Sequence, residues 1–260
     1  MKYLCRVLLL LVSFALVPSC HTAAQAQGID VSKYQGTIDW SKVAKSKKVK
    51  FVYIRATEGT SIKDPNYKSN LDSARNAKIL VGSYHVYSSK TSAYTQFSNF
   101  KSMVNKKKQD LIPVLDIEGY HCGSLDMTRV NKLLELMEKE YGAKPMIYTS
   151  EKLYKEYFSG KKYSAYHIFV AKYKGTPSIR YTLWQYSRSG RISGITGAVD
   201  LDKFHAKHSL SDLYLPSYKK RKAEEADSTA AKTDTTKVKA AAADAGKAKA
   251  ATTDATKVKK

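Results

Sequence analysis

The sequence predicts an α/β fold built as a single barrel of mainly parallel strands, and two observations point to it. Short apolar runs of strand length alternate with helix-length segments through the middle of the chain. Several of these runs stop at an acid, as the run 111–115 stops at Asp116. Strands that collect acids at one end are typical of a parallel barrel with a carboxylate-lined mouth, where such folds keep their functional residues.

Eight strands and five helices account for the alternation. The predicted strands are Gly28–Val31, Phe51–Arg55, Leu80–Val86, Ile112–Ile117, Pro145–Thr149, His167–Ala171, Thr182–Tyr186 and Ala198–Leu201. The predicted helices are Asp39–Val43, Asn66–Ala77, Ser92–Lys106, Met127–Tyr141 and Glu151–Phe158.

Each helix prediction has its own signal. Asp64-Pro65 precedes the second helix and puts proline at a helix-start position. In the fourth, Leu133, Leu134 and Met137 recur at helical intervals and form an apolar face. After the sixth strand the links are short and rich in glycine, proline and serine, which argues against further helices.

The order therefore predicts five strand–helix units followed by three strands, an irregular TIM-like (β/α)5(β)3 barrel over residues 27–215. The last strands are candidates for antiparallel pairing, because short links do not suit a parallel crossover. Closing the barrel removes both sheet edges.

The N-terminal residues 1–26 are predicted to be a signal peptide. Two basic residues precede the apolar stretch Val7–Val17, which is too short for a comfortable membrane span. Two processing routes are possible: cleavage after Ala26, or lipidation of Cys20 at a sequence that loosely resembles a lipobox. The chain is thus expected to be exported, either periplasmic or secreted, or held at the envelope as a lipoprotein. Only Cys122 then stays in the folded part, so no intramolecular disulfide is expected.

The C-terminal residues 216–260 are predicted to be a disordered tail of Lys, Ala and Thr, because they bury too little apolar surface to offset ordering entropy. Residues 219–260 hold twelve Lys/Arg and six Asp/Glu, a net of +6, whereas the whole chain carries +22. Most of the excess charge therefore lies on the barrel and implies an anionic partner. Export favours anionic envelope polymers, reached through the tail, over lipid or extracellular DNA. We expect a monomer.

Asp116 and Glu118 are the sharpest candidates for chemistry. Two residues apart on a strand, they point to the same side. Two such acids raise one another's proton affinity, so one stays protonated near neutral pH while the other is ionised. Cleavage of a glycosidic bond needs that division between a general acid and an anion. The alternative is a solvated strand end in an ordinary loop.

Asp30 and Asp200 also stand at strand ends, and the first and eighth strands of a barrel are neighbours, so these acids are predicted to flank the pair. Asp202 is the alternative to Asp200 as the acid at the end of the eighth strand. Asp30 has an alternative as a turn-forming residue before Ser32. Glu58 either reaches the mouth or forms an ion pair with a nearby base.

Aromatic residues at strand ends are candidates for stacking on sugar rings, although core tyrosines give the same pattern. They are Tyr84, Tyr87, Tyr148, Tyr173, Trp184 and Tyr186. His85 is interpreted as a hydrogen-bonded structural histidine. No His/Cys/Asp spacing typical of a metal site is present in the sequence, so no metal and no cofactor are expected.

Seven segments in order carry a family resemblance that spans residues 28–204. They are Gly28-Ile-Asp-Val-Ser-Lys-Tyr-Gln-Gly-Thr-Ile-Asp-Trp40, Tyr53-Ile-Arg-Ala-Thr-Glu-Gly-Thr60, Val81-Gly-Ser-Tyr-His85, Val114-Leu-Asp-Ile-Glu118, Ile147-Tyr-Thr149, Leu183-Trp-Gln-Tyr186 and Val199-Asp-Leu201. Together they resemble glycoside hydrolase family 25, the Chalaropsis-type lysozymes or N-acetylmuramidases. The resemblance implies a barrel of eight strands and five helices. It also implies hydrolysis of the β-1,4 bond between N-acetylmuramic acid and N-acetylglucosamine in peptidoglycan.

The resemblance implies roles for individual acids. Glu118 matches the proton donor, and Asp116 matches the second acid, which stabilises the cationic centre or positions the substrate's 2-acetamido group. Asp30 and Asp200 match the flanking acids of the cleft, and Glu58 matches an acid of the signature. The substrate-binding candidates are Glu58, Tyr84, Tyr148, Trp184 and Tyr186. Whether Asp116 or the acetamido group acts as the nucleophile stays open.

Two departures from the family pattern are small: Arg55 stands where lysine is common, and Tyr87 where phenylalanine is frequent. No recognisable wall-binding repeat follows the barrel, and the basic tail occupies that place. The alternative to an enzyme is a non-catalytic protein that grips peptidoglycan or another polysaccharide and uses the tail to hold an anionic polymer. The intact acid pair argues against that alternative.

Overall fold

A computed structural model describes residues 28–118 and 125–228 of the chain. The predicted signal peptide, Cys20, Cys122 and the tail beyond residue 228 lie outside the described residues. The strands are β1 Gly28–Val31, β2 Phe51–Glu58, β3 Ile62–Lys63, β4 Leu80–Val86, β5 Val114–Ile117, β6 Met146–Ser150, β7 Ile168–Ala171, β8 Leu183–Gly190 and β9 Val199–Phe204.

The helices fill the links between the early strands and follow the last one. They are α1 Trp40–Lys45, α2 Tyr67–Asn76, α3 Ala93–Met103, α4 Met127–Tyr141, α5 Glu151–Leu153 with a π-helical continuation Tyr154–Phe158, and α6 at 216–228. Short 3-10 turns occupy Lys33–Gln35, Lys106–Lys108, Lys161–Tyr163 and Leu210–Leu213. Among the described helices, none is long and apolar enough to cross a membrane.

Eight of the strands close into a barrel, which confirms the predicted mixed α/β barrel. The order around it is β1-β9-β8-β7-β6-β5-β4-β2, and β2 pairs with β1 to complete the ring. Every neighbouring pair is parallel except the two pairs that β9 makes. The two-residue strand β3 is a hairpin partner on β2 and was not predicted, since two residues carry no periodicity.

The direction of β9 corrects one sequence expectation. Asp200 lies near the beginning of β9 rather than at its downstream end. Because β9 runs antiparallel to β1 and β8, its beginning lies at the edge where the parallel strands end. Asp200 therefore pairs directly with Asp30 on β1. The expected antiparallel pairing of the last strands is found between β8 and β9. Strands β7 and β8 are instead parallel, although the link between them, 172–182, contains no helix.

Side-chain caps explain where the helices begin. Asp39 precedes α1 and accepts a hydrogen bond from the Lys42 amide (3.0 Å), and Asp126 caps α4 in the same way. Gly142 ends α4 in the left-handed region with a φ of 73°, which glycine adopts at little cost. The buried face of α4 contains the predicted Leu133, Leu134 and Met137. Helix α4 thus packs on the barrel as its periodicity predicts.

Large rings fill the barrel interior and depend on nearby glycines. Phe51 and Tyr53 project inward from β2 and are fully buried. A Cβ on Gly28 would collide with the ring of Phe51, and a Cβ on Gly82 would collide with the ring of Tyr53. These two glycines therefore leave the volume that the two rings fill.

The folded region continues past the predicted domain limit. Residues 216–228 form α6, so the prediction of disorder from residue 216 is wrong for this stretch. Arg221 donates to the Gln109 carbonyl (2.8 Å) and to Asp110 (3.2 Å), and Tyr218 packs against Tyr214 with 4.9 Å between ring centroids. These two side chains supply the packing face that the sequence composition did not suggest.

Candidate active site

A cavity of about 370 Å³ opens at the edge of the barrel where the parallel strands end. Five carboxylates line it, those of Asp30, Glu58, Asp116, Glu118 and Asp200, together with the guanidinium groups of Arg55 and Arg188. Its aromatic lining consists of Tyr34, Tyr53, Tyr84, Tyr148, Phe169 and Tyr173. A concave site with several converging charged groups is where binding and chemistry are expected.

The acid pair stands at the end of β5. Asp116 is buried, and its Oδ1 has no hydrogen-bond partner among the described residues. Burial raises the pKa of Asp116 well above its usual range, and the charge of Glu118 raises it further. Glu118 follows two residues later and lines the same cavity. Because one carboxylate opposes ionisation of the other, the pair retains a proton that it can transfer.

A second group of acids lies on the adjoining strands. Asp30 on β1 accepts a hydrogen bond from Gln185 Nε2 at 2.6 Å. Burial, followed by the charges of Asp202 and Asp200, raises the pKa of Asp30. Burial also raises the pKa of Asp200, to about 6. The protonation of one of these acids therefore depends on that of the other.

Asp202 lies below this group, inside the barrel. It pairs in register with Gly28 on β1 and Gln185 on β8, and its side chain is fully buried. Its side chain hydrogen-bonds to the carboxyl group of Asp30. Burial raises the pKa of Asp202 well above its ordinary value. A fully buried acid beside other acids is held in its neutral form.

Gln185 connects the two sides of the cleft and was missed by the sequence reasoning. Its Oε1 accepts hydrogen bonds from the hydroxyl groups of Tyr148 (2.9 Å) and Tyr173 (2.6 Å), while its Nε2 donates to Asp30. The available signal was alternation along β8, where Gln185 is the buried polar residue between two partly exposed aromatics. Gln185 thus fixes three groups that line the cavity.

Trp184 and Tyr186 do not line this cavity, and their selection as substrate-binding residues stays a prediction. Side chains alternate along a strand, so these two face away from the interior when Gln185 faces inward. Lys203 lies over both rings, 4.2 Å from the Trp184 centroid and 4.9 Å from that of Tyr186. Trp184 Nε1 also donates to the Lys172 carbonyl. The structure brings Tyr84 and Tyr148 to the cavity, together with Tyr34 and Tyr173.

The sequence left two positions for Glu58, the mouth of the barrel or an ion pair, and the structure shows both. Glu58 lines the cavity, and its Oε2 lies 3.7 Å from Arg55 Nη1. Arg55 is in turn held by Asp64, whose Oδ2 is 3.0 Å from Arg55 Nε. The same Asp64 oxygen accepts the Lys33 amide at 2.8 Å. Arg55 opposes the rise in the pKa of Asp116. The charge of Arg55 therefore favours the ionised form of Asp116.

His85 lies apart from the cavity lining and is fully buried. Its ring nitrogens contact Thr57 Oγ1 (2.7 Å) and Gln96 Oε1 (3.3 Å). Burial lowers the pKa of His85 to about 4, so the ring is neutral at neutral pH. The prediction of a hydrogen-bonded structural histidine is confirmed. Among the described residues, no group of three or more His, Cys, Asp or Glu side chains is arranged to hold a metal ion.

Comparisons with known proteins agree on one family. The family model described as Glycosyl hydrolases family 25 matches residues 29–195. The Escherichia coli K12 protein YegX is 34% identical over 204 residues, which cover 74% of each chain. Lysozyme M1 of Streptomyces globisporus is 35% identical over 199 residues, covering 69% of this chain and 67% of that one. A bacterial lysozyme structure from Streptomyces coelicolor is similar with a TM-score of 0.63 and 32% identity, over 74% of this chain and 96% of that chain.

Proposed function

The chain belongs to glycosyl hydrolase family 25 and is a lysozyme, and we propose how its cleft residues divide the work. It hydrolyses the β-1,4 bond between N-acetylmuramic acid and N-acetylglucosamine in bacterial peptidoglycan. The observation that carries the division of roles is the acid pair Asp116 and Glu118, which lines a cavity shared with three further carboxylates. Paired acids of this kind meet the chemical demand of glycosidic cleavage, a proton for the leaving oxygen and an anion for the cationic centre.

Glu118 is the proton donor in this proposal. It stands at the end of β5, beyond the buried part of the strand, and faces the open cavity. The proton that the pair retains passes through Glu118 to the glycosidic oxygen as the bond breaks. Glu118, now ionised, then takes a proton from the water that attacks the sugar, as microscopic reversibility requires.

Asp116 supports the cationic centre or orients the substrate's 2-acetamido group. Its buried Oδ1 is without a hydrogen-bond partner among the described residues, and an unpaired buried acceptor is costly until a ligand satisfies it. An acetamido N–H is a donor of suitable chemistry for that oxygen. Asp116 can serve either route from this position. It attacks the sugar directly in one, and in the other it orients the acetamido group whose oxygen attacks.

Asp30 and Asp200 flank the pair across the cleft. Their direct register and shared cavity support a role for two further carboxylates beside the acid pair, and Gln185 donates a hydrogen bond to Asp30. Tyr84 and Tyr148 offer ring surfaces to the sugar, and Glu58 contributes to the cavity wall. Trp184 and Tyr186, which do not line the cavity, stay predicted substrate-binding residues.

The proposal also covers export, binding partners, fold type and oligomeric state. The short apolar segment Val7–Val17 supports export, with cleavage after Ala26 or lipidation at Cys20 as the two processing routes. The basic residues beyond 228 support contact with anionic envelope polymers. We also propose that the barrel is an irregular TIM-like (β/α)5(β)3 fold and that the protein is a monomer.

Product analysis tests the proposed reaction. Purified peptidoglycan is incubated with residues 27–260, and the soluble fragments are examined by mass spectrometry after borohydride reduction. The proposal expects fragments whose reduced end is muramic acid. Fragments ending in reduced glucosamine would show cleavage of the other glycosidic bond, and tight binding without any fragments would support the binding protein instead.

A further inference from the structure

The lining of the cleft and the substrate proposed for it both carry acidic groups. Among the residues that the structure describes, five carboxylates and two guanidinium groups line it. Muramic acid carries a lactyl carboxyl group, which is either free or extended into a peptide that bears further carboxylates. Like charges at an interface repel, so each acid of this lining that is ionised disfavours the substrate unless a cation offsets the repulsion.

Arg55 does not serve that purpose. Its guanidinium group is held by Asp64 at 3.0 Å and lies 3.7 Å from Glu58, and its side chain is only 8% exposed. The charge of Arg55 is therefore used to balance acids of the protein itself.

Arg188 is differently placed. It lies on β8 close to the mouth, is exposed, and lines the cavity. Its guanidinium carbon lies 5.4 Å from the centroid of the Tyr173 ring. Within the part of the chain that the structure describes, no carboxylate lies within ion-pairing distance of it. A guanidinium group over an aromatic ring keeps its in-plane N–H donors for a carboxylate.

Tyr173 makes this position well defined. Its hydroxyl donates to Gln185 at 2.6 Å, and the same Gln185 holds Asp30. The ring that supports Arg188 is thus tied to the frame of the catalytic acids. A carboxylate bound by Arg188 would have a fixed relation to the bond being cleaved.

We propose that Arg188, supported by Tyr173, forms a subsite for a carboxylate of the substrate, carried by the lactyl group or by the peptide stem. The inference rests on the proposed function, because it names the feature of a muramic-acid-containing strand that this cleft selects. Arg188 is in this view a specificity-determining residue.

A purely electrostatic role is the competing explanation. Arg188 lowers the pKa of Asp200, against the larger effect of burial. If that were its function, removing Arg188 would impair every substrate alike and would move the pH profile of the reaction.

Kinetics on three soluble substrates separate the two explanations. The first is glycan strands with their peptides, the second is strands stripped to the lactyl carboxylate, and the third is the stripped strands with that carboxylate converted to a methylamide. The enzymes are the wild type, Arg188→Ala, and Arg191→Ala as the matched control. Arg191 is also exposed and lies three residues away, outside the cavity lining.

The wild type is expected to prefer an acid-bearing strand over the amidated one by about tenfold in kcat/KM, mainly through KM. Arg188→Ala is expected to abolish most of that preference, and Arg191→Ala to keep it. Loss of preference on stripped strands would assign the lactyl carboxylate, and loss only on peptide-bearing strands would assign the stem.

Two results would overturn the inference. An equal loss on amidated and acid-bearing strands in Arg188→Ala would refute the subsite while leaving the proposed function intact. Failure of the wild type to cleave any of the strands would refute the proposed function, and the subsite with it.

Discussion

Gln185 is the residue on which the geometry of the cleft depends most directly. It is 2% exposed and makes three side-chain hydrogen bonds, to Tyr148, Tyr173 and Asp30. Replacing it by leucine removes these bonds and leaves the buried Tyr148 hydroxyl, together with the Tyr173 hydroxyl and the Asp30 carboxyl group, to find new partners. Small displacements of catalytic groups cost large factors in rate.

We therefore predict that Gln185→Leu lowers kcat by roughly tenfold to a hundredfold, with circular dichroism still showing a folded barrel. Gln109→Leu is the matched control, since Gln109 is also 2% exposed but bonds to Ser83 and Tyr67 away from the cavity. A similar fall in kcat for both variants would mean that Gln185 acts only through overall stability.

Asp202 is expected to make the stability of the fold depend on pH. The folded protein raises the pKa of Asp202 above the unfolded value, so its contribution is fully present below about pH 4 and is lost as pH rises toward the folded pKa. In the variant Asp202→Asn the amide that replaces the carboxyl group does not titrate.

The free energy of unfolding of Asp202→Asn should therefore improve relative to the wild type as pH increases from 4 to 7. Urea denaturation at several pH values measures the difference. A difference that stays constant with pH, or moves in favour of the wild type, would show that Asp202 is not held neutral in the fold.

At the residue scale, the sequence was most informative about the acids. Asp30, Asp116, Glu118 and Asp200 come together in one cavity, because alternation along strands and the position of strand ends can be read locally. Gln185 and Arg188 were not found, because their importance depends on contacts between distant strands. Trp184 and Tyr186 were selected by type, although their neighbour Gln185 already occupied the inward position.

At the scale of the elements, β2 and β4 are fitted to one another through Tyr53 and Gly82. The two residues pair in register, and a side chain at position 82 would collide with the Tyr53 ring. Tyr53 has little freedom to move, since it is fully buried and its hydroxyl donates to the Ile112 carbonyl at 3.2 Å.

Gly82→Ala is predicted to lower the free energy of unfolding by about 1–3 kcal/mol, the usual cost of forcing extra volume into a packed core. Chemical denaturation provides the measurement. Gly160→Ala is the control, because a Cβ there meets no atom within 4 Å. Equal effects at both positions would contradict the close fit of the two strands.

Element type was easier to predict than element direction. The eight barrel strands and the first five helices have clear periodicity or length, and all of them are present. The antiparallel course of β9 depends on how the ring closes, which no local pattern encodes. Helix α6 was missed since its packing relies on Asp110, more than a hundred residues earlier in the sequence.

At the scale of the whole molecule, charge is the dominant property. The chain carries +22, yet the cleft is lined mainly by acids, so the positive charge lies elsewhere on the surface and beyond the barrel. Residues 229–260 hold eight lysines and three aspartates. We propose that a segment of this charge favours contact with anionic polymers and accelerates encounter with them.

Deleting residues 229–260 should weaken binding to a polyanion such as heparin at low salt, and the difference should shrink as salt is added. Hydrolysis of soluble glycan fragments should stay within about twofold of the full chain, because the acids and aromatic residues assigned to the cleft all precede residue 229. A large loss of hydrolysis on soluble fragments would assign the segment a part in the reaction itself.

The central claim is that Glu118 gives its proton to the leaving oxygen. The most direct measurement compares the wild type, Glu118→Gln and Asp116→Asn on soluble glycan strands and on an aryl glycoside whose leaving group needs no proton. Glu118→Gln is predicted to lose about 10²–10⁴-fold on the strands but far less on the aryl glycoside, whereas Asp116→Asn should lose activity on both. An equal loss on the two substrates for Glu118→Gln would contradict the account.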